Sequence, residues 1–112
     1  MSSAITRTLL QSSPIAETSG WETRLFLVEY PPGADASGHS HPVVGLGYVL
    51  EGSVVSAFDN DEPETFVAGH SFLDPASFHR ISRNGSQTEP LRFLVSYAVE
   101  IGEPNTVWPQ QG

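Results

Sequence analysis

The segment GADASGHSHPVVGLGYVLEG, residues 33–52, decides how this chain is read. His39 and His41 stand two apart in a stretch with strand character, and side chains two apart on a strand leave the same face. Pro31, Pro32 and Gly33 end the strand before it, and Glu51-Gly52 turns the chain after it. A third histidine, His79, falls on another strand-like run, residues 78–82. Three imidazoles converging inside a small β-fold make a ready site for a divalent transition metal. His39, His41 and His79 are therefore the candidate ligands.

Working outward, residues 21–30 (WETRLFLVEY) and 91–99 (LRFLVSYAV) read as long strands, and 43–50, 53–58, 65–67 and 71–73 as shorter ones. Asp74-Pro75 reads as a strand breaker, and Asn84-Gly85 as a turn pair. The acidic stretch DNDEPE, residues 59–64, is a solvated hairpin turn; it lacks the glycine and distant glutamate of a calcium loop. No segment keeps a helical period over three turns. Strands separated by regular turn signals predict one all-β domain, a sandwich or barrel. Residues 1–20 are expected to form a leader or an added edge strand, 21–99 the barrel, and 100–112 an extended tail.

Composition removes several chemistries. The chain of 112 residues has no Cys, which excludes thiolate catalysis, disulfides and iron–sulfur clusters. Its five cationic residues are all Arg, so a Schiff-base or P-loop lysine is excluded too. A formal net charge of −8 disfavours nucleic acid and anionic membranes as partners. No apolar run approaches the roughly 18 residues that span a bilayer. A cytoplasmic location is the default expectation.

Residues 33–52 resemble the first conserved motif of the cupin superfamily: Gly, five residues, His-x-His, three or four residues, Glu, six residues, Gly. Gly33, His39, His41 and Gly52 fall in register, and Gly45 occupies the place where many cupins carry the Glu. Residues 69–84, GHSFLDPASFHRISRN, are similar to the second motif. Gly69, Pro75 and His79 match in order; Ser77 replaces a glycine, His79 comes one residue early and Asn84 one late. The resemblance implies a small single-domain cupin, a jelly-roll β-barrel or double-stranded β-sandwich, and commonly a homodimer. Cupins include oxygenases, isomerases, lyases and pure binding proteins, so the resemblance leaves the reaction open.

Counted in alternation from His39, the inward set is His41, Val43, Gly45, Gly47 and Val49. Gly45 and Gly47 are expected to widen the wall beside the metal for a planar substrate, and a Glu placed at Gly45 to tighten metal retention. Val44, Leu46 and Tyr48 form an apolar outer face suited to a second copy. Tyr97 shares a face of the last strand with Phe93 and is a candidate proton donor; which face lies inside stays open. Arg83 has the strand parity of His79 and could meet a substrate carboxylate, or lie in the loop before Asn84. His70 is a further candidate in a turn, and Phe72 and Phe78 are expected in the core. The metal could be Fe, Zn, Mn, Ni or Cu. Three functions follow: a metal-dependent oxygenase, isomerase or lyase on a small organic molecule; a metal-free isomerase or lyase using histidine acid–base chemistry; or a non-catalytic small-molecule or metal-binding module.

Overall fold

The computed structural model describes residues 4–109. Strands β1 (Thr6–Pro14), β2 (Trp21–Tyr30), β3 (His39–Ser40), β4 (Gly45–Glu51), β5 (Ser53–Phe58), β6 (Glu64–Val67), β7 (Ser71–Asp74), β8 (Phe78–Asn84) and β9 (Leu91–Glu100) make up the regular structure. β9 organises the first sheet. Leu91, Phe93, Val95, Tyr97 and Val99 are buried, while the residues between them are half-buried or exposed. That alternation settles the open question of its inner face.

All described pairings are antiparallel. They give a five-stranded sheet, β1-β2-β9-β4-β7, and a four-stranded sheet, β3-β8-β5-β6. This is an all-β, two-sheet, jelly-roll-like fold. The expected closed barrel is not formed by hydrogen bonding among the described residues. Three of the four sheet edges are short strands, β3 with two residues and β6 and β7 with four each, and the fourth is the nine-residue β1.

The core lies between the sheets. Val28, Tyr30, Val49, Leu91, Phe93, Val95 and Tyr97 from one side meet Val54 from the other. Each such burial contributes roughly 1.5–3 kcal/mol. Gly52 turns β4 into β5 at φ +81°, and a Cβ there would strike the carbonyl of Pro90. Both facts reserve the position for glycine. β1 pairs along its length with β2, from Thr6 opposite Glu29 to Pro14 opposite Glu22.

One irregularity controls the site. Between β5 and β8 the register slips, with Ala57 opposite Ile81 but Phe58 opposite His79. The extra residue, Arg80, resets the parity of β8. His79, Ser82 and Asn84 are buried, and Arg83 is exposed. Phe78, expected in the core, is likewise turned out at 44% exposure.

Candidate metal centre

His39 on β3 is the register partner of His79 on β8, and His41 follows two residues on. All three are buried. His39 Nε2 lies 3.2 Å from His41 Nε2, which lies 3.3 Å from His79 Nδ1. One ligand atom from each ring falls within 4.8 Å of the others. Two nitrogens bound about 2.1 Å from a common ion stand about 3.0 Å apart at a right angle and about 3.4 Å at the tetrahedral angle. The His39–His41 and His41–His79 spacings fit between those limits, and the third pair lies within 4.8 Å. The three histidines form a cluster able to chelate a metal.

The far nitrogen of each ring is held. His39 Nδ1 lies 2.7 Å from the Ala36 carbonyl, His41 Nδ1 3.1 Å from the Asn105 carbonyl, and His79 Nε2 2.7 Å from Ser56 Oγ. A carbonyl only accepts, so His39 and His41 carry their protons on Nδ1 and aim bare Nε2 lone pairs inward. Burial holds the basicity down: His39 falls to about 4, His79 to about 3, and His41 below its ordinary value. At neutral pH all three are neutral, the form that binds metal.

Asp74 was not legible as a site residue, because Asp-Pro reads as a breaker. It ends β7 directly opposite Gly45 and is 5% exposed. Its Oδ2 lies 3.7 Å from His41 Nε2, and burial raises its pKa to about 7. His41 is neutral there, so this contact is not an ion pair. The carboxyl makes no hydrogen bond to a described residue and lines the cavity beside the imidazoles. Its parity with half-buried Phe72 on the same strand was the available signal.

Gly45 and Gly47 do not open the wall as expected. A Cβ at Gly45 would lie 2.7 Å from a ring carbon of Tyr97, and one at Gly47 would run into the Phe72 ring. Both spaces are already filled by aromatic rings from neighbouring strands. Tyr97 lines the cavity, its ring 5.7 Å from that of His41, and burial raises its hydroxyl pKa well above the ordinary value. Arg83 is not brought to the cavity: the slip in β8 turns it to solvent, with a backbone bridge to Asp35. His70 is exposed in the turn before β7. Asn84 is structural; its amide donates to Pro31 and Glu89 carbonyls at 3.1 and 2.8 Å.

The tail completes the site from the same chain. Ser40 and Val107 exchange backbone hydrogen bonds of 2.9 and 2.8 Å. Asn105 and Thr106 then line the cavity, together with Arg7 from β1.

The family model described as the cupin domain matches residues 26–97. The chain belongs to the cupin family. No curated protein matches this cupin. Among solved structures it is similar to an oxalate oxidase in complex with the substrate analogue glycolate, with 23% identity, a TM-score of 0.70, and 93% of this chain and 54% of that one covered. It is also similar to the DMSP lyase DddQ from Ruegeria pomeroyi DSS-3, with 20% identity, a TM-score of 0.65, and coverage of 80% and 45%. A cupin-like protein from Thermotoga maritima matches with 16% identity, a TM-score of 0.67, and coverage of 96% and 77%. The chain spans about half the length of the oxidase and a little under half that of the lyase. At these identities the likeness is one of fold.

Proposed function

We propose that this cupin is a metal-dependent enzyme acting on a small organic molecule, as an oxygenase, isomerase or lyase. The observation that carries the reading is the set of three converging ring nitrogens, each ring held from behind, at the wall of a cavity that also holds an uncommitted carboxyl. His39, His41 and His79 would hold the ion. When bound, a divalent transition metal supplies polarisation of a substrate oxygen, or electron exchange if it is redox-active. Asp74, with its pKa about 7, takes or gives the proton. Tyr97 and the rings around it exclude water. An oxidase and a lyase with this fold act on small molecules by their names, which agrees with this reading. The metal could be Fe, Zn, Mn, Ni or Cu.

The metal-free alternative fits less well in its original form. Imidazoles held at about 4 and about 3 are weak bases at neutral pH, and Asp74 would have to act in their place. Metal content of protein purified without added metal, measured again on His41→Ala, tests the proposal. A near-stoichiometric transition metal lost in the variant is expected. Metal-free protein that turns over substrate in the presence of chelator would reject it, and metal retained with no turnover of any substrate would leave a binding module.

We also propose a homodimer through the outer face of the five-stranded sheet. Leu46 and Leu73 are register partners there, 61% and 56% exposed, with Val44 and Tyr48 beside them. Patches of this kind usually mark an interface. A monomeric mass in solution would remove the idea.

A further inference from the structure

We propose that the cavity selects small molecules bearing a carboxylate, and that Arg7 on β1 receives that carboxylate at the mouth. The inference deepens the function proposed above and rests on the cavity being its substrate site.

Arg7 is the register partner of Val28. Cross-strand partners project from the same face of a sheet, and Val28 is buried against the cavity. Arg7 therefore leaves β1 on the cavity side and is part of the lining. Its guanidinium carbon sits 5.2 Å from the centre of the Trp108 ring, and Trp108 lies on His39 with centroids 4.6 Å apart. Guanidinium, indole and a tilted imidazole, at 48° to the indole, thus follow one another from the rim to the histidine cluster. A cation over an aromatic face is held there by the ring's quadrupole while its N–H groups stay available.

The other arginines are committed or remote. Arg24 pairs with Glu22 at 2.8 Å and donates to Asn105 Oδ1 at 3.1 Å. Arg92 pairs with Glu29 at 3.2 Å. Arg80 donates to the carbonyls of Asp59 and Asp61, and Arg83 faces solvent. The Arg7 guanidinium makes no hydrogen bond or ion pair with a described residue. An uncommitted guanidinium beside a cavity, in a chain of net charge −8, gives the mouth a local sign opposite to that of the whole protein.

Size narrows the class further. The enclosed volume of the cavity is about 40 Å³, little more than one water's share of liquid. A short acid would therefore keep its carboxylate at the mouth, in the fork of Arg7, with its other end directed at the imidazoles. Two parallel N–H···O bonds are the arrangement that carboxylate and guanidinium favour.

The test compares propionate with propionamide, which match in shape and differ in charge. Both are titrated by NMR into zinc-loaded and into chelator-treated protein, for the wild type, Arg7→Gln and Arg7→Lys, at low salt. Propionate should bind the wild type at least about tenfold more tightly than the amide. Arg7→Gln should lose that margin without changing amide affinity or zinc content, and Arg7→Lys should recover part of it. Equal binding of acid and amide by the wild type would overturn the proposal. So would undiminished propionate binding by Arg7→Gln, or a parallel loss of both probes, which would mark Arg7 as a packing residue. Failure to take up zinc would instead strike the metal reading, and the chelator-treated series would still decide Arg7.

Discussion

Asp74→Asn should remove a pH-dependent penalty from the metal-free protein. Burial lifts the Asp74 carboxyl from its ordinary 3.8 to about 7. A raised carboxyl favours the fold most when protonated, so its contribution is complete below about pH 4 and is lost as pH rises through 7. At about 1.4 kcal/mol for each pH unit between the two values, the wild type gives up roughly 4 kcal/mol across that window. His39 and His79 work the other way. Held down at about 4 and about 3, they contribute fully above about pH 6.5 and lose that contribution as pH falls toward those values. Neither owes its shift to Asp74, so their part cancels when wild type and variant are compared. An asparagine adds its own fixed cost of about 1–3 kcal/mol for unpaired amide groups, which cancels in the slope. Urea unfolding of chelator-treated protein, in steps from about pH 4.5 to about pH 8.5, reads the difference directly. The gap between variant and wild type should move by roughly 3 kcal/mol in favour of the variant over that range, since part of the window lies below its starting pH. A gap that stays constant across the range would refute the reasoning, since it would mean Asp74 titrates as a solvated carboxyl.

Other outcomes follow from the packing around the histidines and along β4. Ser56→Ala removes the hydroxyl behind His79 and should weaken metal binding by about 10–100-fold, read by chelator competition with the fold intact by circular dichroism. Gly47→Ala must displace the Phe72 ring and should cost about 1–3 kcal/mol in urea unfolding. Gly45→Glu, which the sequence alone recommends for metal retention, should instead destabilise by a similar amount because Tyr97 stands 2.7 Å from the new Cβ; a variant as stable as wild type would show that the ring yields freely.

Strand content, the two motif regions and the pairing of His39 with His41 could be read from periodicity, because a period of two depends only on local backbone geometry. What escaped depended on partners distant along the chain. Asp74 looks like a turn residue until β7 is laid against β4 and it comes opposite Gly45. Arg7 lies in a segment that reads as a leader or an added edge strand, and only its pairing with Val28 aims it at the cavity. Arg83 followed the right parity but met a bulge that no local signal announced. The glycines were correctly placed on the inner wall, yet the rings of Tyr97 and Phe72 fill the room they leave. That is a cross-strand fact, and alternation along one strand cannot reveal it.

The bond from His41 to the Asn105 carbonyl spans 64 residues. A ribosome adds about 5–20 residues per second, so the His39–His41 pair emerges seconds before the peptide that orients it, with His79 arriving between. A nascent chain thus exposes an unfinished two-imidazole chelate to whatever ions surround it. The held geometry of the cluster is complete only once synthesis has passed residue 105.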